Sequence, residues 1–219
     1  FGGGIKAGGP NYVTCFVNIT NAQKADFQNV NTQDLSVYKT YAALLRNDDK
    51  LLYENAVISY LENYKNEFSV ERDIHQLMGE QNVFRYLPLK NILFRVQTSD
   101  KLSDVLMVIT ACMIAKTPLY VSIESNDAKL ETLKTILKPD QILIQSVQEL
   151  TESMNKFERI RTCSDHLPLE LYKKAASLGM YIATQEPLAE GRLELLHYVK
   201  EQSIAFEYHR YGSITEIPE

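Results

Sequence analysis

From Asn91 to Ala183 the chain alternates short apolar runs with longer stretches of helical period, and this alternation limits the fold more than any other feature. Ile92-Leu93-Phe94-Arg95-Val96 reads as a strand. Leu102, Val105, Leu106, Ile109, Cys112 and Met113 then share one helix face, for which Ser99 or Asp100 can serve as the cap. Leu119 to Ile123 is a second strand, and Leu130, Leu133, Ile136 and Leu137 line a helix that stops before Pro139. Ile142-Leu143-Ile144 is a third strand, followed by a helix from Val147 to Phe157. Ile160-Arg161-Thr162, a helix opening near Pro168 and stopped by Gly179, and Tyr181-Ile182-Ala183 complete the series. Strands that return through helices pair in parallel, and a parallel sheet must be covered on both faces. The expected fold is therefore α/β, a Rossmann-like, doubly wound, mostly parallel five-stranded sheet.

The flanks are less regular. Gly2 to Pro10 is glycine-rich, but no Lys-Ser or Lys-Thr follows and no strand precedes it, so it does not fit a phosphate loop. Tyr12 to Ile19 alternates as a strand would, giving an N-terminal strand appendage. Asn21 to Ser36, rich in Asn, Gln and Asp, reads as a linker and a domain boundary. Two helices follow, with stripes Val37, Tyr41, Leu44, Leu45 and Tyr53, Val57, Tyr60, Leu61, Tyr64, Phe68. Such a tyrosine-rich face fits either a partly wet domain contact or an internal core.

After Ala183, Glu186-Pro187 marks a helix entry, and Leu188, Leu195, Leu196 and Val199 form its apolar face. A strand-like run then leads to Tyr208, His209, Arg210 and Tyr211, a polar-aromatic cluster close to Gly212. That cluster is either a docked terminal strand filling the domain's own core or a contact surface for something else.

The formal net charge of -5, with no basic block, argues against nucleic acid or an anionic membrane as partner. The longest apolar run, Val105 to Ala115, is interrupted and too short to span a bilayer. Cys15, Cys112 and Cys163 are odd in number and far apart, which points to free thiols in a reducing, cytoplasmic setting. The chain opens Phe-Gly-Gly-Gly, without an initiator Met or a targeting pattern, and reads as a piece of a longer protein.

Chemistry is sparse. Doubly wound sheets bind nucleotides through glycines at the first strand-helix turn, but Val96-Gln97-Thr98-Ser99-Asp100-Lys101 has none, and Asp100 would repel a phosphate. Cys163 beside Asp165-His166 is the one suggestive nucleophile, since an imidazole can lower a thiol pKa. The same stretch also reads as a polar cap before Pro168. His75, His166, His197 and His209 lack metal-ligand spacing.

Several stretches are similar to a known family. Gly4-Ile5-Lys6-Ala7-Gly8-Gly9-Pro10-Asn11-Tyr12 resembles the end of the pyrroline-5-carboxylate dehydrogenase domain in the proline utilization A family of bifunctional proline-catabolic flavoenzymes. Gly79-Glu80-Gln81-Asn82 with the Asn91 to Val96 strand resembles the start of that family's additional C-terminal domain. Leu188-Ala189-Glu190-Gly191-Arg192-Leu193-Glu194-Leu195-Leu196 and Tyr208-His209-Arg210-Tyr211-Gly212 resemble its closing motifs. The resemblance implies that residues 1–20 end the preceding dehydrogenase domain. Residues 21–36 would then be a linker, and 37–219 an aldehyde-dehydrogenase-like domain without chemistry of its own. Ile123-Glu124-Ser125 has no Lys where catalytic members of that superfamily hold the cofactor's ribose with one. It further implies no cofactor in this chain, NAD and FAD in the parent enzyme, and packing on the dehydrogenase domain of the same polypeptide. Tyr208, His209, Arg210, Tyr211 and Gly212 would seal the cavity that retains the intermediate. Cut from its sheet, the Tyr12 to Ile19 strand would be free for strand-mediated self-association. The competing expectation is a catalytic or nucleotide-binding dehydrogenase domain in its own right, using Cys163 or a divergent cofactor site.

Overall fold

The computed structural model describes residues 9–17, 19–20 and 36–207, and the backbone of 209–210 and 213–214; the side chain of Cys15 is not among them. Helices α1 (Ser36–Ala42) and α2 (Asn47–Asn63) come first, then strands β1 (Arg72–Asp73), β2 (Glu80–Pro88) and β3 (Ile92–Arg95). The alternating region follows as α3 (Leu102–Ile114), β4 (Leu119–Ile123), α4 (Leu130–Ile136), β5 (Ile142–Ile144), α5 (Val147–Ser153), β6 (Arg159–Arg161), α6 (Leu169–Ser177) and β7 (Ile182–Ala183). The chain then runs through α7 (Gly191–Glu194), β8 (Val199–Glu207), β9 (His209–Arg210) and β10 (Ser213–Ile214).

Strands β3 to β7 form the expected parallel sheet, in the order β5-β4-β3-β6-β7. The central strand is β3, and its side chains alternate between two cores. Leu93 packs with Leu150, Met154, Ile160, Leu171 and Ala175 on the α5–α6 face. Ile92 and Phe94 belong to the larger core shared with α1, α2, α3 and the start of α4. Helix α3 is apolar almost all round because it lies between the sheet and α2, so it has little solvent face to keep polar. The tyrosines of α2 are internal: Tyr53 shares a 2.7 Å hydrogen bond with Thr110, and Tyr60 donates to the Leu188 carbonyl at 2.5 Å. At the end of α6, Gly179 takes φ +61, and the Met180 amide reaches back to the Ala175 carbonyl, the expected glycine stop.

A second sheet was not apparent from the sequence. Strand β2 pairs antiparallel with β1 on one side and with β8 on the other, Glu80 opposite Glu207 and Pro88 opposite Val199. Its residues are mostly half-buried, so neither a continuous apolar run nor a clean alternation marks it.

Three local expectations are corrected. Tyr12–Phe16 is a 3-10 turn rather than a strand, so the appendage supplies no free strand there for self-association. The Asn11 carbonyl takes both the amide and the hydroxyl of Thr14, and the Tyr12 amide closes on Gly9, so local bonds win where no partner strand is at hand. The tail helix shrinks to α7 and one 3-10 turn at Leu195–His197, and Val199 opens β8. Its side chains and carbonyls are drawn into long-range bonds instead, with the Tyr198 carbonyl accepting from Thr117 and Leu89. Neither Ser99 nor Asp100 caps α3, whose flanking residue is Lys101. The proposed linker lies outside the described residues except for Ser36, which begins α1.

Candidate functional site

In a doubly wound sheet ligands bind at the carboxyl ends of the strands, where the strand order reverses. Here that point lies above β3, between β4 and β6. The ends of these strands enclose a cleft of ≈ 410 Å³, with Val96, Val147, Leu167, Pro168 and Leu171 as its apolar lining. Arg95, the last residue of β3, is buried beneath it. Its guanidinium donates to Ser122 Oγ (3.0 Å), the Gln145 carbonyl (2.8 Å) and Glu124 Oε1 (2.6 Å). Glu124, at the end of β4, is thereby held at the rim with its side chain half exposed.

The turn after β3 is closed from within. Asp100 Oδ2 accepts the Gln97 amide at 2.8 Å, the kind of donor that a phosphate loop keeps free for its ligand. Burial pushes the Asp100 carboxyl up, and the Gln97 bond and Lys129 work against that rise. Lys129 is itself engaged by Asp127 (3.1 Å) and the Thr98 carbonyl (3.1 Å). Asp127 Oδ2 is buried and has no hydrogen-bond partner among the described residues.

Cys163 and His166 do not form a nucleophile-base pair. Burial, reinforced by Asp100, pushes the Cys163 thiol well above its ordinary value, the opposite of thiolate activation. His166 lies out at the rim, its Nδ1 3.6 Å from Asp165 Oδ1, and no hydrogen bond joins it to Cys163 among the described residues. Cys112 is likewise buried, with its thiol pushed up by desolvation. Among the described residues no group of three or more His, Cys, Asp or Glu side chains could hold a metal ion. None of the described helices is long and apolar enough to cross a membrane.

The first closing motif has a structural role that sequence spacing did not reveal. Arg161 and Glu194 are both fully buried and form an ion pair at 3.1 Å. Glu194 also accepts from Tyr198 OH (2.5 Å) and the Leu188 amide (2.9 Å), while Arg161 donates to the carbonyls of Thr162, Ala183 and Gln185. Gly191 lies against α2, its amide 2.8 Å from Ser59 Oγ, and a Cβ there would meet the Ser59 carbonyl oxygen at 2.5 Å. The motif thus clasps β6, α2 and the start of β8 together. His197 is neutral, burial and the charges of Arg161 and Arg159 lowering it to about 3.

Arg192, next along the motif, points outward. It donates to Asn11 Oδ1 (2.6 Å) and pairs with Glu67 (2.8 Å), while Asn11 donates to Tyr86 OH (2.8 Å) and Glu201 (2.6 Å). Asn11 is therefore buried, yet Val13 and Phe16 just beyond it are 70% and 71% exposed. A second apolar projection is the loop between β1 and β2, where Met78 is 82% exposed. Asp73 shapes that loop by accepting the amides of His75, Gln76 and Asn82. Of the proposed seal, Tyr208, Tyr211 and Gly212 and the side chains of His209 and Arg210 lie outside the described residues. The backbone of His209–Arg210 pairs antiparallel with Ser213–Ile214.

These features define a Rossmann-like α/β unit with an antiparallel ribbon and a closed phosphate turn. No family model and no curated protein matches the chain. Among solved structures, proline utilization A (PutA) from Corynebacterium freiburgense matches at 28% identity and TM-score 0.62, over 95% of this chain and 18% of that one. The chain is thus similar to PutA over nearly all its length, while spanning under a fifth of that relative. Histidinol dehydrogenase from Elizabethkingia anophelis matches at 16% identity and TM-score 0.48, over 68% of this chain and 38% of its own. PutA from Bdellovibrio bacteriovorus inactivated by N-propargylglycine matches at 15% identity and TM-score 0.45, over 73% of this chain and 20% of its own.

Proposed function

We propose that this chain is a non-catalytic domain of a longer polypeptide that oxidises proline to glutamate through pyrroline-5-carboxylate. It packs on the NAD-dependent dehydrogenase domain and helps to retain the intermediate; NAD and FAD belong to the catalytic domains. The observation that carries this reading is the 28% identity to a PutA over 95% of the chain. The internally bonded turn at Gln97 and the protonated, buried thiol of Cys163 support a domain without chemistry of its own. Met78, exposed on this domain, fits a surface that the preceding domain covers, and Phe16, on the segment read as the end of that domain, fits packing against the rest of it.

Within this reading Tyr208 to Gly212 seal the internal cavity. The test removes the residues after Phe206 from this chain and from the longer polypeptide. The expected outcome is unchanged melting of the chain together with a new lag in coupled proline-to-NADH turnover, because intermediate escapes while each active site still works. A collapsed melting temperature with no lag would mean that the tail fills the domain's own core, and the seal would be abandoned.

A further inference from the structure

We propose that the junction of α2, α7 and the antiparallel ribbon is a peptide-docking site that recognises the side-chain amide of an asparagine, and that its occupant is the chain's own segment 9–17, held through Asn11. Three residues from three elements converge on that amide, and a fourth fixes them. Tyr86 in β2 and Glu201 in β8 stand directly opposite each other. Arg192 comes from α7, and Glu67 from the helical turn that follows α2. None of the four belongs to the segment they hold.

The set is braced without any help from Asn11. Glu67 pairs with Arg192 Nε at 2.8 Å through Oε2 and accepts from Tyr86 OH at 3.1 Å through Oε1. The Phe68 ring lies 4.6 Å from the Tyr86 ring and 5.8 Å from the Arg192 guanidinium. Because the Tyr86 hydroxyl gives its hydrogen to Glu67, it offers Asn11 only an acceptor. Arg192 can only donate, and the Glu201 carboxylate only accept. These partners allow the amide one orientation. Its Oδ1 takes Arg192 at 2.6 Å, and its Nδ2 donates to Tyr86 at 2.8 Å and to Glu201 at 2.6 Å. Aspartate has the same shape, but it would bring a second carboxylate to Glu201 with no hydrogen to give, so the site discriminates against it.

The rest of the segment contributes little to its own docking. Its backbone closes on itself as a 3-10 turn, and Tyr12, Val13 and Phe16 are exposed. Thr14, Val17 and Ile19 share a cavity of ≈ 90 Å³ with Leu188, Leu193 and Leu196, so packing there is incomplete. A segment anchored through one side chain behaves as a tethered ligand. Tethering supplies a local concentration of about the millimolar range, so millimolar affinity is enough to hold it in cis. The site concerns this chain's own surface and holds whether or not a dehydrogenase domain precedes it, so its failure would leave the function proposed above untouched.

The test empties the site in the full chain with Asn11→Ala and refills it with a synthetic peptide of residues 9–17, followed by NMR or calorimetry. The peptide binds Asn11→Ala saturably, and binds the unaltered chain, whose own segment fills the site, far more weakly. The same peptide with aspartate in place of asparagine binds Asn11→Ala at least about tenfold more weakly, for the lost hydrogen bond to a charged acceptor. Adding Glu201→Gln to Asn11→Ala closes that gap, because the new amide can donate to the aspartate; a merely structural Glu201 would not exchange one preference for the other. Should the double variant not fold, the ratio of the two peptides on Asn11→Ala decides alone. The proposal is overturned by absence of saturable binding to Asn11→Ala, by equal binding of the two peptides, or by equal binding to the unaltered chain. Loss of cooperative melting in Asn11→Ala would also overturn it, by making the segment part of the core. An unaltered chain that sediments as a dimer and becomes monomeric in Asn11→Ala would make a second copy the occupant and end the assignment in cis.

Discussion

Replacing Glu194 by Gln should unsettle the domain more than any surface change, because it removes a charge and almost no volume. In the parent chain the carboxylate accepts from Arg161 at 3.1 Å, Tyr198 at 2.5 Å and the Leu188 amide at 2.9 Å, with no solvent contact. The amide of Gln must turn one N–H toward a donor, and Arg161 keeps its carbonyl partners but loses its counter-charge. Breaking one side of a buried pair costs about 3–5 kcal/mol. For a chain of this size, about 2–4 °C per kcal/mol converts that into a fall of about 6–20 °C in melting temperature. Urea and thermal melts at neutral pH read the loss directly. Adding Arg161→Met to Glu194→Gln should cost less than the two single losses together, since it removes the uncompensated charge. A loss under about 1 kcal/mol, the range of an exposed pair, or strict additivity in the double variant, would refute the clasp. The pH dependence has a definite sign. Burial pushes the Glu194 carboxyl up, but Arg161 above all, with the bonds from Tyr198 and the Leu188 amide, holds it below its ordinary 4.5. Its contribution is therefore complete above that value and lost as pH falls through the depressed folded value, so the deficit of Glu194→Gln should shrink in acid.

Two glycines should resist substitution for opposite reasons. Gly191→Ala places a Cβ 2.5 Å from the Ser59 carbonyl oxygen and 2.8 Å from Tyr60 Cα, so α7 must shift from α2 at a cost of about 1–3 kcal/mol. Gly179→Ala finds open space but keeps a left-handed φ of +61, so denaturant melts should show a loss of about 1 kcal/mol from backbone strain alone. Asp104 is pushed up to about 6 by burial, opposed by Lys101 and reinforced by Glu186, Asp100 and Asp49. Its folded pKa lies above the ordinary 3.8, so the stability it contributes is lost as pH rises through about 6. Asp104→Asn should therefore melt higher than the parent above that pH and show no gain at low pH, as paired melts across the range will read.

The parallel sheet was legible because each of its strands is a compact apolar run next to a helix-period stretch, as at Ile92 and Leu119. The turn after β3 was marked in the sequence by its lack of glycine and by Asp100, but the bond from the Gln97 amide to that carboxylate is a matter of loop geometry that no pattern encodes. The ribbon was not legible: Glu80 to Pro88 gains its strand character from β8, and no local pattern announces that distant partner. The tail failed for a related reason. Leu188, Leu195 and Leu196 do recur at helical spacing, but Glu194 between them is committed to Arg161, which no periodicity encodes. Nor could sequence tell that Asn11 anchors the N-terminal segment, because its partners Arg192, Tyr86 and Glu201 come from three separate elements.

The ribbon also dictates an order of events. Arg85 in β2 meets Gln202 in β8, 117 residues later, and the whole parallel sheet is threaded between them. During synthesis at about 5–20 residues per second, β2 therefore waits on the order of ten seconds before its long partner exists. Closing so wide a loop is slow unless something brings its ends together first, and here the finished sheet does so. The inner strands can pair as they emerge, the Arg161–Glu194 clasp then sets the start of β8, and the ladder zips outward from Val199 toward Glu207. Until then Val83, Phe84 and Tyr86 sit on an unpaired edge, which makes the nascent chain most prone to mispairing just before β8 emerges.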